Sequence, residues 1–284
     1  MKRVVLVTGA SSGFGRLTVE ALADRGHRVF AGLRDVRGRN AKAAAELTAY
    51  SPDLTVVELD VTDQAAADRA VAAVLDDAGR LDAVVNNAGM IFAGPVEAFT
   101  DQEAARQLDV NVLGALRVSR AALPQLRRQR SGVLIQIGSI AGRVTVPFSG
   151  LYAASKAALG SLTEAWRHEL APFGVESVVV EAAPYPTSIG ANGAFPADAE
   201  RMEPYGAALG GFVAAITTRS AEHGGDAREV SDAVVALVET ADGERPPRVV
   251  VAPPVQVAAL GSLSQAAEET ARIVAGDMGV GAFV

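Results

Sequence analysis

Seven short runs rich in β-branched residues, separated by stretches of helical apolar spacing, are the strongest constraint on how this chain folds. Val4-Val5-Leu6-Val7 opens the series, and Phe14, Leu17, Ala21 and Leu22 follow it at helix period. Further strand runs are expected at 27–33, 54–59, 83–85, 133–137, 175–180 and 249–251. Helices are expected over 41–47 and 63–78, through Leu159, Leu162, Trp166 and Leu170, and from Asp226. Thr100-Asp101-Gln102-Glu103 has capping-box spacing and predicts a helix from there to about Arg128. Strand and helix alternating in this way predict an α/β fold: a doubly wound, seven-stranded parallel sheet flanked by helices, in a single domain over 1–284. Such sheets bind ligands at the carboxyl ends of their strands.

The alternation breaks over about 184–228, a stretch rich in Gly, Ala and Pro that carries Tyr185, Phe195, Met202, Tyr205 and Phe212. It reads as a surface excursion or as a flap over a ligand. A C-terminal extension follows at about 253–284, with a helix and a Gly-rich apolar end.

Composition narrows the function classes. The 284 residues hold 26 Lys and Arg against 33 Asp and Glu, a net charge of −7, with no long basic run. That field disfavours nucleic acid and anionic membranes as partners. The chain has no cysteine, which excludes disulfides, thiolate metal sites and a cysteine nucleophile. His27, His168 and His223 lack metal-ligand spacing, so no metal is expected. The apolar start is too short for a secretory leader, and the uncharged stretch 249–267 is interrupted by Pro253 and Pro254. A soluble, cytoplasmic protein is the expectation.

Between the first strand and its helix stands Thr8-Gly9-Ala10-Ser11-Ser12-Gly13-Phe14-Gly15. Glycines at this junction let backbone approach a pyrophosphate, and the helix amino terminus offers free N–H groups and positive dipole. The same residues also fit G-x-S-x-G, a nucleophile elbow with Ser11 as nucleophile and His223 or His168 as base. A turn with no ligand is the third reading. The second strand run ends in Leu33-Arg34-Asp35, with Arg37 and Arg39 behind. An arginine here accommodates the 2′-phosphate of NADP, and an acid binds the 2′-hydroxyl of NAD. Arg34 comes first, which favours NADP; a solvated surface charge is the plain alternative.

Tyr152 and Lys156 stand at i and i+4, on one face of a helix. A free phenol, with a pKa of about 10, is a poor base near neutrality. A neighbouring ammonium favours the phenolate, and a lowering of about 3 units corresponds to about 4 kcal/mol. Such a phenol exchanges a proton with a carbonyl or an alcohol. Ser139 ends the fifth strand run, where its hydroxyl can meet a developing oxyanion or simply cap a turn. Asn111 sits within the helix that starts near Thr100, and Asn86-Asn87-Ala88-Gly89 follows the fourth strand run.

Together these motifs resemble the short-chain dehydrogenase/reductase family, in its shorter single-domain branch with a Rossmann sheet, and the likeness runs over nearly the whole chain. The resemblance implies an NADP-dependent oxidoreductase that moves hydride between nicotinamide and a carbonyl or secondary alcohol. It implies a catalytic set of Asn111, Ser139, Tyr152 and Lys156. Tyr152 would be the general acid/base, and Lys156 would lower its pKa and hold the nicotinamide ribose. Ser139 would bind the substrate oxygen and Asn111 a water in a proton relay. The implied cofactor contacts are Gly9, Ser11, Ser12, Gly13, Phe14, Gly15, Arg34, Asp60, Val61, Asn87, Ala88, Gly89, Tyr152, Lys156, Pro184 and Thr187. Ala182-Ala183 replaces the family's Pro-Gly, which would strain Ala183 if that position needs a positive φ. The Leu33-Arg34-Asp35 junction and the flap are similar to hydroxysteroid and retinol dehydrogenases, implying an apolar small-molecule substrate. The family also implies a homodimer or homotetramer. A non-catalytic, nucleotide-sensing protein on the same fold is the alternative.

Overall fold

The computed structural model of the chain describes residues 2–187, 193–223 and 225–283, with backbone alone for 219–223 and 283. Its centre is one seven-stranded sheet: β1 (Val4–Thr8), β2 (Arg28–Leu33), β3 (Leu54–Glu58), β4 (Ala83–Asn86), β5 (Gly132–Ser139), β6 (Val175–Ala182) and β7 (Arg248–Val251). The order is β3-β2-β1-β4-β5-β6-β7, and every pairing is parallel. Each strand overlaps the run expected for it, because a strand buried on both faces must be apolar almost throughout.

Helices close both faces. α1 (Gly13–Asp24), α2 (Ala41–Tyr50) and α9 (Arg228–Glu239) pack on one, where Val19, Leu22, Leu47, Val234 and Val238 meet Val5, Val7 and Ile135. α3 (Gln64–Ala78), α5 (Gly114–Gln129) and α6 (Gly150–Leu170) pack on the other, where Val74, Val118, Leu126, Trp166 and Leu170 meet Leu6, Val84 and Leu134. The helix expected from Thr100 to Arg128 is divided. α4 (Asp101–Leu108) starts at a capping box formed by Thr100 and Glu103, a π-helical turn occupies Asp109–Leu113, and α5 follows.

Among the described residues, the stretch 184–228 holds the helices α7 (Ala199–Met202) and α8 (Gly206–His223). Gly206, Gly210 and Gly211 hide α8 from a propensity reading, since glycine is about 1 kcal/mol worse than alanine in a helix. The C-terminal helix α10 runs Pro254–Asp277 and opens on a proline, which is well placed in a first turn. α9 begins two residues after Asp226, whose carboxylate accepts from Arg228 N at 2.9 Å. Among the described residues no helix is long and apolar enough to cross a membrane, and no cluster of His, Asp or Glu is arranged to hold a metal.

Candidate active site

Strand order reverses between β1 and β4, so a crevice opens at their carboxyl ends. The glycine loop lines it. Gly9 has φ +65°, and a Cβ there would lie 2.8 Å from Ala88 Cα. At Gly15 a Cβ would lie 2.5 Å from Gly9 O. The loop is therefore folded on itself and against the chain leaving β4. Asn87 stitches the two together: its Nδ2 donates to Thr8 O at 2.8 Å and Gly9 O at 3.2 Å. The N–H groups of Asn87 and Ala88 donate to Thr8 Oγ1 at 3.0 and 2.9 Å. Ser12 is the N-cap of α1, yet its side chain caps none of the helix N–H groups. Those groups, with Ser11, Ser12, Gly13 and Phe14 around them, are left uncapped by side chains, the kind of helix terminus to which an anion can bind. Phe14 lies edge-on to Tyr185, centroids 5.9 Å apart, which fastens the loop to the chain leaving β6.

Arg34 is exposed at the end of β2, and its guanidinium has no partner among the described residues. Asp35 has φ +49°, and its carboxylate turns back to accept from Arg39 N at 2.9 Å. Asp60 follows β3; its Oδ1 accepts from Thr62 N at 2.9 Å and Thr62 Oγ1 at 2.7 Å. Val61 is buried, and Gly114 on α5 packs so close that a Cβ would meet Val61 Cγ2 at 2.8 Å. The elbow reading gains no support: no histidine hydrogen-bonds Ser11 among the described residues. His27 is bound to Arg3 N and Glu239, His168 lies exposed on α6, and the His223 side chain is outside the described residues.

Ser139, Tyr152 and Lys156 come together where β5 meets α6. Ser139 pairs in register with Ala182; its Oγ donates to Ala182 O at 3.3 Å and accepts from Ala141 N at 3.1 Å. Lys156 is buried, its Nζ donating to Ile137 O at 2.7 Å. Burial lowers its pKa to about 8. Burial also holds the Tyr152 phenol above its ordinary value, against a lowering pull from its hydrogen bond with Ser139. In the free protein desolvation outweighs the pull of Ser139.

Asn111 is fully buried in the π-helical turn, a feature frequent at functional sites. Its Oδ1 accepts from Met90 N at 2.9 Å; its Nδ2 donates to Met90 O at 2.9 Å and Ser155 Oγ at 3.0 Å. Ser155 in turn donates to Tyr152 O at 2.7 Å. Gly89 lies between the two halves of the site, a Cβ there standing 3.4 Å from Asn111 Oδ1 and 3.8 Å from Lys156 Nζ. One turn back, the Gln107 amide donates to Met90 O and accepts from Phe92 N, both at 2.7 Å. Gln107 and Ser155 escaped the sequence reading, since a buried glutamine and a helix serine carry no spacing signal.

Ala183 is not among the residues with positive φ, and its N–H donates to Val251 O at 2.9 Å. Alanine is thus unstrained in place of glycine. Pro184 is exposed and Thr187 half-buried at the start of the flap; residues 188–192 and 224 lie outside the described residues. After residue 192 this stretch is tied to the chain that follows β4 and to α4. Ala194 bridges to Phe92, Ala197 N donates to Glu103 Oε1 at 3.0 Å, and Tyr205 hydrogen-bonds Glu97. Phe148, four residues before Tyr152 and at φ +61°, lies edge-on to Tyr205 at 6.4 Å and Phe212 at 5.5 Å.

Comparison with known proteins agrees with this architecture. The short chain dehydrogenase family model matches residues 3–194, and the chain belongs to that family. It is 34% identical over 179 residues to a 3-ketodihydrosphingosine reductase of Bacteroides thetaiotaomicron, covering 63% of this chain and 62% of the relative. It is 39% identical over 192 residues to human 17-beta-hydroxysteroid dehydrogenase type 1, covering 66% of this chain and 58% of the relative. The match thus spans about three fifths of those relatives' own length. A crystal structure of a short-chain dehydrogenase from Streptomyces avermitilis superposes with a TM-score of 0.74 at 30% identity, covering 99% of both chains.

Proposed function

We propose that this protein is an NADP-dependent oxidoreductase that interconverts a carbonyl and a secondary alcohol on an apolar small molecule. The observation that carries the proposal is the convergence of Ser139, Tyr152 and Lys156 beside the glycine cradle. A dinucleotide fits the residues present. The α1 terminus offers uncapped N–H groups for a pyrophosphate, Asp60 keeps its Oδ2 free of partners among the described residues, and Gly89 leaves room beside Lys156. When bound, the nicotinamide supplies or accepts the hydride.

The remaining steps belong to the chain. In reduction, Ser139 Oγ–H donates to the substrate carbonyl oxygen and holds it beside the phenol. As the carbon gains its hydride, Tyr152 O–H gives its proton to that oxygen, and the product is the alcohol. In oxidation the phenolate takes the hydroxyl proton back. Lys156 opposes the negative charge left on Tyr152, and Asn111, through Ser155, keeps the helix turn bearing Tyr152 in place.

Selectivity for NADP is supported by the loop after β2. Asp35 spends its carboxylate on Arg39 N, whereas Arg34 keeps an unengaged planar fork for a 2′-phosphate. An apolar substrate is supported by Phe148, Tyr205 and Phe212, and by an apolar hollow between Phe195, Met202, Leu209 and Val213. Leu108 and Leu113, both exposed, are consistent with pairing of two copies through α4 and α5. Calorimetric titration with NADPH and NADH, followed by a carbonyl screen with NADPH, tests the reading. Binding of neither nucleotide, or turnover retained by Tyr152→Phe, overturns it.

A further inference from the structure

Glu58 closes β3 directly opposite Leu33, the last residue of β2. Its carboxylate reaches across the strand end. Oε1 accepts from Asp35 N at 2.6 Å, and Oε2 accepts from Val36 N at 3.1 Å. Both oxygens are thus spent on two successive peptide N–H groups in the loop that carries Arg34. Asn40 holds the other end of that loop, its Nδ2 donating to Arg34 O at 2.6 Å. Between the two anchors the chain closes on itself: Asp35 O accepts from Gly38 N at 3.3 Å and from Asn40 N at 3.1 Å. Asp35 is drawn into the left-handed region, which Asp tolerates better than most residues. Its carboxylate packs over Gly38, where a Cβ would clash with Oδ1. Among Arg34 and Asp35, only the arginine therefore faces outward with its polar end unengaged.

We infer that Glu58 is a positioning residue for cofactor selectivity. By binding the Asp35 and Val36 N–H groups, it fixes the loop in the one arrangement that presents Arg34 to a 2′-phosphate and turns Asp35 away from a 2′-hydroxyl. This rests on the NADP reading above. Glu58 itself makes no contact with the nucleotide; its carboxylate is consumed by the peptide groups. A preformed loop matters because an unpaired arginine has high rotamer freedom, and each further loose backbone torsion would add to the entropy lost on binding.

The test is a set of nucleotide dissociation constants for the full chain, by calorimetry with NADPH and NADH. The wild type is compared with Glu58→Ala, Glu58→Gln, Asn40→Ala, Arg34→Leu and the double variant Arg34→Leu/Glu58→Ala. Glu58→Ala should weaken NADPH about tenfold and leave NADH within about twofold, with Glu58→Gln intermediate because its amide still accepts one N–H. Asn40→Ala should act in the same direction. In the Arg34→Leu background, Glu58→Ala should change neither constant by more than about twofold, the mark of two residues acting through one contact. An equal loss for both nucleotides assigns Glu58 a merely structural role and overturns the proposal. A larger loss for NADH makes Glu58 a ribose ligand and overturns it too. A wild-type protein without NADPH preference overturns the NADP reading beneath it, whereas a preference that survives Glu58→Ala and Asn40→Ala overturns this inference alone.

Discussion

The ammonium nitrogen of Lys156 lies 5.8 Å from the centroid of the Tyr152 ring, yet its hydrogen bond goes to the backbone oxygen of Ile137. The two side chains share a helix face without a direct bond, and burial presses both toward their neutral forms. The free protein thus holds a protonated phenol, ready to donate rather than accept. Tyr152→Phe should reduce carbonyl turnover by at least about a hundredfold, the span usual for a lost acid/base group, while the NADPH dissociation constant stays within about threefold. Single-turnover kinetics and calorimetry on the same preparation check both halves.

Lys156 also makes stability depend on pH. Its folded pKa of about 8 lies below the ordinary 10.5, so the unfolded chain binds more protons between those values. Stability is therefore reduced below pH 8 and rises as pH climbs toward 10, with a ceiling of about 3 kcal/mol from the shift. Tyr152 acts in the opposite sense above pH 10, because its folded pKa is raised. Urea unfolding at pH 7, 8, 9 and 10 should show the rise in the wild type and its loss in Lys156→Met. A flat wild-type profile would contradict the burial of this amine.

Asn111 satisfies three polar groups at once, Met90 N–H, Met90 C=O and Ser155 Oγ. Asn111→Leu strands the Met90 N–H, while Met90 O keeps Gln107 and Ser155 Oγ keeps Tyr152 O, so the loss should be about 2 kcal/mol. Asn111→Asp keeps the acceptor for Met90 N but loses both donations. The lost donations should show as a lowered midpoint in thermal unfolding.

Ala183→Gly tests the departure from the family's Pro-Gly. Because Ala183 has no positive φ, glycine relieves nothing and loosens the end of β6. The expected outcome is a loss of about 0.5–1 kcal/mol and no gain in NADPH affinity. Tighter binding would show that the backbone here must move to accept the cofactor.

The strands were legible because doubly buried segments have little compositional freedom; Val175–Ala182 and Val4–Thr8 could be read almost residue by residue. The candidate site was legible where chemistry demands a residue type at a fixed spacing, as for Tyr152 and Lys156. It was opaque where the function is to hold backbone. Glu58, Gln107 and Ser155 act on peptide groups far away in sequence, and nothing in their neighbours marks them. The π-helical turn was equally hidden, because Asp109–Leu113 reads as ordinary helix and only burial of Asn111 against Met90 reveals the extra residue. α8 was lost to its own glycines.

From the viewpoint of Met90 to Ala93, the molecule is a sheet edge in disguise. Alternate peptides along this stretch face opposite ways. Met90 and Phe92 turn to the carboxamides of Gln107 and Asn111, whereas Ile91 and Ala93 exchange bonds with Ala194. One side chain from α4 and one from the π-helical turn thus stand in for a neighbouring strand on one flank, and Ala194 makes a single bridge on the other. The anchorage of the flap is consequently only as straight as those two amides keep it. Slow amide exchange at Met90 and Phe92, in a segment with no ladder of its own, would be the visible signature of that borrowed neighbour.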